Sequence, residues 1–386
     1  MLLIFRISWE DPNLKGIVLV ARHGARNPYS PVYYYQAKLP YPNYNYGDLL
    51  PMGMRQHYLI GKYLHDTYGD FFGDKYKKDE ILIRSTNSNR TIMSDNSLLL
   101  GLYPVNEEKL NLTKVDPSNL LPPWEVNVSS NFIKQLNDSA VFKDIPIFME
   151  RNNDQDNESS IETLQTCNYI NNIYDQLIDS QNYMSIVKKY DDTLQKIFKI
   201  LKVDSDKFYK ENYLVQAFLD TLMVEQLTNT LPEGITNLMM QDINKLYDEL
   251  YLYCEFTSTV LVNMSTNEFR KEIIDIFESI INNTSRVKAA LFVSHDYVIT
   301  HILNMVFPDI KISPKLAESI IFELSSIDKS NYQVNVIQNG TKLGNFPFQN
   351  FKLILMRNYI PKDKYLKLCN NGTSGLQKHK GPSNCK

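Results

Sequence analysis

Cysteine is scarce in this chain. Its four residues, Cys167, Cys254, Cys369 and Cys385, stand among 386 and share none of the short spacings of a zinc or thiol-redox motif. Histidine is nearly as rare, with six in all, and the pairs His57/His65 and His295/His301 lie eight and six residues apart. Neither spacing matches the H-x-x-x-H that puts two rings on one helix face. We therefore expect no metal and no cofactor. Charge of one sign is not in excess: 41 Lys and Arg face 44 Asp and Glu, for a formal net charge of -3. That balance supplies no field for nucleic acid. Long apolar runs are missing too, since no stretch approaches the roughly 18 residues of a membrane span.

What is present suits a large globular protein, with 43% hydrophobic and 22% charged residues and ample length for a sizeable core. The opening "MLLIFRISWEDPNLKG" has a short apolar run broken by Arg6, and falls short of a secretory leader. Other features point to an oxidising route. N-glycosylation triplets recur at Asn111, Asn127, Asn137, Asn157, Asn263, Asn282, Asn283, Asn339 and Asn371. The even cysteine count fits disulfides, and of three connectivities we expect Cys167 with Cys254 and Cys369 with Cys385. A lysosomal or secreted protein is expected, with a leader not evident in this sequence; a homodimer is compatible with the sequence.

Four short aliphatic runs read as buried strands: 16–22 "GIVLVAR", 80–86 "EILIRST", 289–295 "AALFVSH" and 351–357 "FKLILMR". Between the first two, Met54, Tyr58, Gly61, Leu64 and Tyr68 recur at helical spacing, with Gly69 as a stop. A second helix follows at "RTIMSDNSLLLGLY", and "SIVKKYDDTLQKIFKILK" (185–202) also reads as helix. The alternating "ESIIFELSS" and "YQVNVIQNG" predict a hairpin that extends the sheet. The fold class expected is α/β: a mixed, largely parallel sheet flanked by helices. Residues 14–105 and 286–386 form its core, and 106–285 a mostly helical insertion or cap.

The chemistry gathers at the strand ends. "VLVARHGARNPYS" crowds Arg22 and Arg26 around His23, and Gly24 lets a ligand approach the backbone at the strand exit. Neighbouring like charges depress an imidazole's pKa, so His23 stays neutral and nucleophilic in mild acid. Two guanidinium groups make sense beside an incoming dianion, because their planar forks grip phosphoryl oxygens bidentately. Arg84 ends the second run, and His295 and Asp296 end the third. Together these supply a nucleophile, oxyanion ligands and a carboxyl acid, a kit for phosphoryl transfer. His57 reads as a polar packing group near the sheet end. The Tyr-rich stretch 28–47 reads as a long ordered loop, and "NRT" at Asn89 opens a helix beside the pocket.

"RHGARNP" resembles the R-H-G-x-R-x-P signature of the histidine acid phosphatases, branch 2 of the histidine phosphatase superfamily. "GDLLPMGMRQHYLIGKYL", "IRSTNSNRTIMSDNSLLLGLYP" and "SHD" are similar to the family's later segments, and the match is close over 16–105 and 286–305. The resemblance implies an acid phosphatase that hydrolyses small phosphate monoesters through a phosphohistidine. In it His23 attacks phosphorus, and Asp296 protonates the leaving group. Arg22, Arg26, Arg84 and His295 bind the phosphoryl oxygens. A phytase or a sugar or inositol phosphate phosphatase shares these residues, although "HD" favours acid phosphatases over relatives carrying "HAE". The rival from another class is a catalytically silent phosphate-binding surface protein. "HDYVIT" departs from the family's "HDTN"-like segment, on the leaving-group side.

Overall fold

A computed structural model describes residues 13–39, 41, 43–104, 147–149 and 167–371. The elements run β1 (Leu14–Arg22), α1 (Pro51–Phe72), β2 (Ile81–Ser85), α2 (Asn89–Leu102) and β3 (Phe148–Met149). Among the described residues eight helices follow: α3 (Asn168–Ile178), α4 (Gln181–Lys188), α5 (Asp191–Leu201), α6 (Ser205–Lys210), α7 (Asn212–Leu227), α8 (Asn237–Phe256), α9 (Thr259–Met264) and α10 (Asn267–Ile281). The chain continues with β4 (Ala289–Ser294), α11 (Asp296–Val306), β5 (Ser319–Ser326), β6 (Tyr332–Gln338), β7 (Thr341–Pro347), α12 (Phe348–Leu355) and α13 (Lys362–Asn371).

The strands form one sheet in the order β3-β2-β4-β1-β5-β6-β7. The first four are parallel, and β5, β6 and β7 are added antiparallel as a meander. β1 is buried from Gly16 to Arg22, because its unbroken aliphatic run lies between two layers. Ile17 and Leu19 face α1 and α2 in one apolar cluster with Leu64 and Leu98. Val18 and Val20 face a second, larger cluster that runs without a break into the helices after β3, including Leu214, Phe218 and Ile243. The inserted helices thus share the sheet's own core.

Several expectations need correction. Residues 351–357 are not a strand: Phe348, Phe351 and Leu355 are buried at helical spacing on α12. A short unbroken apolar run is compatible with either period, and the seventh strand is instead the polar edge strand β7, "TKLGNFP". α1 runs past Gly69 to Phe72, with a kink at Tyr68, and ends on Gly73 at φ 74. The stretch 185–202 breaks into α4 and α5, where Asp191 and Asp192 in a new first turn favour a helix start. Cys167 pairs with Cys369, not Cys254, tying α13 to the start of α3, while Cys254 is a buried thiol. Spacing along the chain does not report which helices pack together, which is why connectivity was illegible. Cys385 and the triplets at Asn111, Asn127, Asn137 and Asn157 lie outside the described residues.

Candidate active site

The site forms where β1, β4 and β2 run out at one edge. The His23 N–H donates to the Ser294 carbonyl across 2.9 Å, which stitches the exit of β1 to the end of β4. The ring is buried, and its Nδ1 lies 2.9 Å from the Gly24 carbonyl. A carbonyl only accepts, so Nδ1 carries the proton and Nε2 the lone pair. Burial above all, then the positive fields of Arg90, Arg22, Arg26 and His295, hold this imidazole well below its usual pKa. It is the neutral ring expected from the sequence.

Glycine shapes this corner through close approach. A Cβ on Gly24 would sit 2.5 Å from the Gly53 carbonyl oxygen, and one on Gly53 would sit 2.2 Å from that of Ala25. The first turn of α1 therefore abuts the 22–26 backbone directly. Three side chains pin that backbone. Ser94 accepts from the Gly24 N–H (3.1 Å), Gln56 accepts from the Ala25 N–H (2.8 Å), and His57 Nε2 donates to the Arg22 carbonyl (2.9 Å). His57 has the packing role expected of it, and burial lowers its pKa to about 4.

Each of the two flanking arginines has a carboxylate partner. Arg22 lies 2.6 Å from Asp296 and also donates to the Pro314 carbonyl. Arg26 holds Asp220 through two bonds of 3.0 and 3.1 Å, and its guanidinium sits 5.2 Å from the centre of the Tyr29 ring. Asp296 opens α11 and accepts its neighbour Tyr297's N–H. Burial pushes this carboxyl's pKa up, but the charges of Arg22, His295 and Arg26 outweigh burial and leave it below the usual value.

His295 meets His23 edge-on, with ring centres 5.7 Å apart. The Thr86 hydroxyl donates to Thr91 (2.9 Å), so it accepts from His295 Nε2 at 3.2 Å. His295 Nδ1 is then the acceptor facing an Arg90 nitrogen at 3.4 Å. The structure brings Arg22, His23, Arg26, His295 and Asp296 together.

It does not add Arg84. That guanidinium is bound 2.8 Å from Glu272 of α10 and lies against the Phe292 ring. β2 is separated from β1 by β4, so at about 4.8 Å per strand the two lie roughly 10 Å apart. Arg84 is in register with Phe292, two residues short of the Ser294 level reached by Arg22. The third arginine beside the imidazoles is Arg90, in the first turn of α2. Its signal was available, since the first turn of a helix that follows a parallel strand faces the same sheet edge as the strand ends. Asp220 and Tyr247, from inserted helices, had no local signal.

A cavity of about 580 Å³ opens from Arg22 and Arg26 towards α7, α8 and the 313–316 loop. Among the described residues, no group of three or more His, Cys, Asp or Glu is placed to hold a metal ion, and no helix is long and apolar enough to cross a membrane.

A mixed sheet with helices on both faces and an imidazole-arginine cluster at its parallel edge is the architecture of a phosphatase-type α/β fold. Its likeness to the apo phytase of Hafnia alvei has a TM-score of 0.60 over 90% of this chain and 97% of that one, at 12% identity. The multiple inositol polyphosphate phosphatase of Bifidobacterium longum, in complex with phosphate, gives 0.54 over 90% and 93% at 10% identity. In sequence, the prostatic acid phosphatase of Mus musculus is 39% identical over 100 residues, 25% of each chain. The lysosomal acid phosphatase of Homo sapiens is 35% identical over 97 residues, 24% of this chain and 22% of that one. The chain thus matches about a quarter of the length of these relatives. The family profile matches residues 13–318, and the chain belongs to the histidine phosphatase superfamily, branch 2.

Proposed function

We propose that this protein is an acid phosphatase that hydrolyses small phosphate monoesters through a phosphohistidine at His23. The observation that carries the reading is the neutral His23 ring: its tautomer is set by the Gly24 carbonyl, and Arg22, Arg26 and Arg90 surround it. Nε2 attacks phosphorus in line, the N–P bond forms, and the bond to the ester oxygen breaks. Arg22, Arg26 and Arg90 receive the charge on the phosphoryl oxygens, joined by His295 once the dianion's field protonates its Nδ1. Asp296 delivers a proton to the departing oxygen, then takes one from the water that cleaves the phosphohistidine.

Arg22 holds Asp296 as a carboxylate, which is the wrong form for an acid. A phosphoryl dianion bound on Arg22 offsets that guanidinium's field and adds its own negative charge, and both changes raise the carboxyl's pKa. Activity requires His23 neutral, above its lowered pKa, and bound-state Asp296 protonated, below its raised one. An optimum in acid follows.

The helices between β3 and β4 act as the cap over this edge, within the division 14–105 plus 286–386 and 106–285. A lysosomal or secreted location is supported by the prostatic and lysosomal relatives and by the Cys167–Cys369 disulfide. Asn282 and Asn283, exposed at the end of α10, are the acceptors best placed for glycans. The test is turnover of 4-nitrophenyl phosphate near pH 5. His23→Ala should abolish it, and substantial residual rate in the folded variant removes His23 as nucleophile.

A further inference from the structure

We propose that the cavity beside Arg22 and Arg26 is a leaving-group chamber for monophosphates with an uncharged alcohol portion, and that its carboxylates make polyphosphorylated substrates poor. The inference rests on the phosphatase reading above and adds the substrate class to it. Among the described residues that line the chamber, the cations are Arg22, Arg26 and Lys315, and the carboxylates are Asp220 and Asp248. Arg26 already has both terminal nitrogens on Asp220, and Arg22 is held by Asp296. The compensated charge leaves room for one phosphoryl group at the imidazole and little attraction for a second.

The rest of the lining includes a part of different character. Met223, Val224 and Leu227 from α7, Leu316, and the Tyr247 ring from α8 give an apolar and aromatic wall. Asp248 stands at the solvent rim, near Ser313 and Lys315. A second or third phosphate on the same alcohol would project against this wall, where it loses hydration, and towards Asp248, whose charge repels it and offsets the attraction of Lys315. An uncharged alkyl or aryl group buries apolar surface there instead. The phytase likeness does not oppose this, because at 12–13% identity it reports the fold and says nothing of the lining.

The experiment measures kcat/KM of the full chain at pH 6 for 4-nitrophenyl phosphate and for myo-inositol hexakisphosphate, in the wild type, Asp248→Asn and Asp248→Lys. The wild type should favour the aryl ester by at least about a thousandfold. Asp248→Lys should narrow that ratio about tenfold, chiefly through KM for the polyphosphate, and Asp248→Asn by about threefold; both figures allow for screening at the rim. Aryl turnover with equal hexakisphosphate turnover overturns the chamber and leaves the phosphatase reading standing. A ratio unmoved in both variants also overturns it. Should Asp248→Lys fail to fold, the isosteric Asn variant decides. With neither ester turned over, the phosphatase reading falls, and calorimetric binding of inorganic phosphate against inositol hexakisphosphate then judges the chamber: equal or tighter binding of the polyphosphate refutes it.

Discussion

Replacing Arg90 with Ala should cost far more activity than replacing Arg84, although Arg84 ends a strand of the motif. Arg90 reaches to 3.4 Å from His295, and its charge is the largest, after burial, of the influences lowering the pKa of His23. A guanidinium about 4 Å from a phosphoryl charge is worth on the order of 4 kcal/mol at an effective dielectric near 20. Arg90 is half-buried, so solvent reduces this, and about 2–4 kcal/mol corresponds to roughly 30- to 1000-fold in kcat/KM. Arg84→Ala instead takes an ion-pair partner from Glu272, whose side chain is 12% exposed, and should cost about 1–3 kcal/mol of stability with activity within a few-fold. The assay is kcat/KM for 4-nitrophenyl phosphate across pH 3–8, paired with thermal melting of each variant. Loss of Arg90 should also move the acid limb to higher pH, since His23 regains protons once that repulsion is gone. A folded Arg84→Ala that loses as much activity as Arg90→Ala would instead put Arg84 among the phosphate-binding groups.

Two further outcomes follow from buried carboxyl groups. Asp296→Asn should slow alkyl phosphates by about a hundredfold or more and 4-nitrophenyl phosphate much less, because a good leaving group departs without a proton; equal losses in a leaving-group series would remove the general-acid role. Asp95 is fully buried on α2, neither oxygen has a hydrogen-bond partner, and burial raises its pKa well above the usual value. The folded state then holds a proton that the unfolded chain releases as pH rises above about 4, so this group's contribution to stability falls with rising pH. Asp95→Asn should therefore raise the denaturation midpoint more at pH 7 than at pH 4, and a larger gain at pH 4 would contradict the assignment.

The parallel core was legible because buried strands in such sheets are unbroken aliphatic runs, and β1, β2 and β4 carry them. The same signal misled at 351–357, where the helical period of Phe348, Phe351 and Leu355 is visible only when the residues before the run are included. Edge strand β7 lacked the signal, since its residues are half-buried or exposed. In the site, His23, His295 and Asp296 were legible as residues just past strand ends. A strand end alone points to Arg84, but the side chain's level along β2 and its partner on α10 decide where the charge goes. Asp220 lies nearly 200 positions from Arg26, and only the folded chain places them together.

That distant pair explains how the motif tolerates itself. Arg22, Arg26 and Arg90 around one imidazole would repel strongly if each were bare, and folding would have to work against that field. Asp296 and Asp220 each neutralise one of them at contact distance in a buried setting. The two carboxylates are not equivalent. Asp220 grips both terminal nitrogens of Arg26 and accepts the Tyr29 N–H as well, which makes it a fixed part of the wall. Asp296 has a single short contact to Arg22 and sits at a helix start, with 18% of its side chain exposed. An arriving dianion competes with Asp296 for Arg22 more readily than with Asp220 for Arg26. On the proposed reading, the ion pair that holds Asp296 as a carboxylate becomes, when a phosphate ester binds, the source of a carboxyl group ready to take up and pass on a proton.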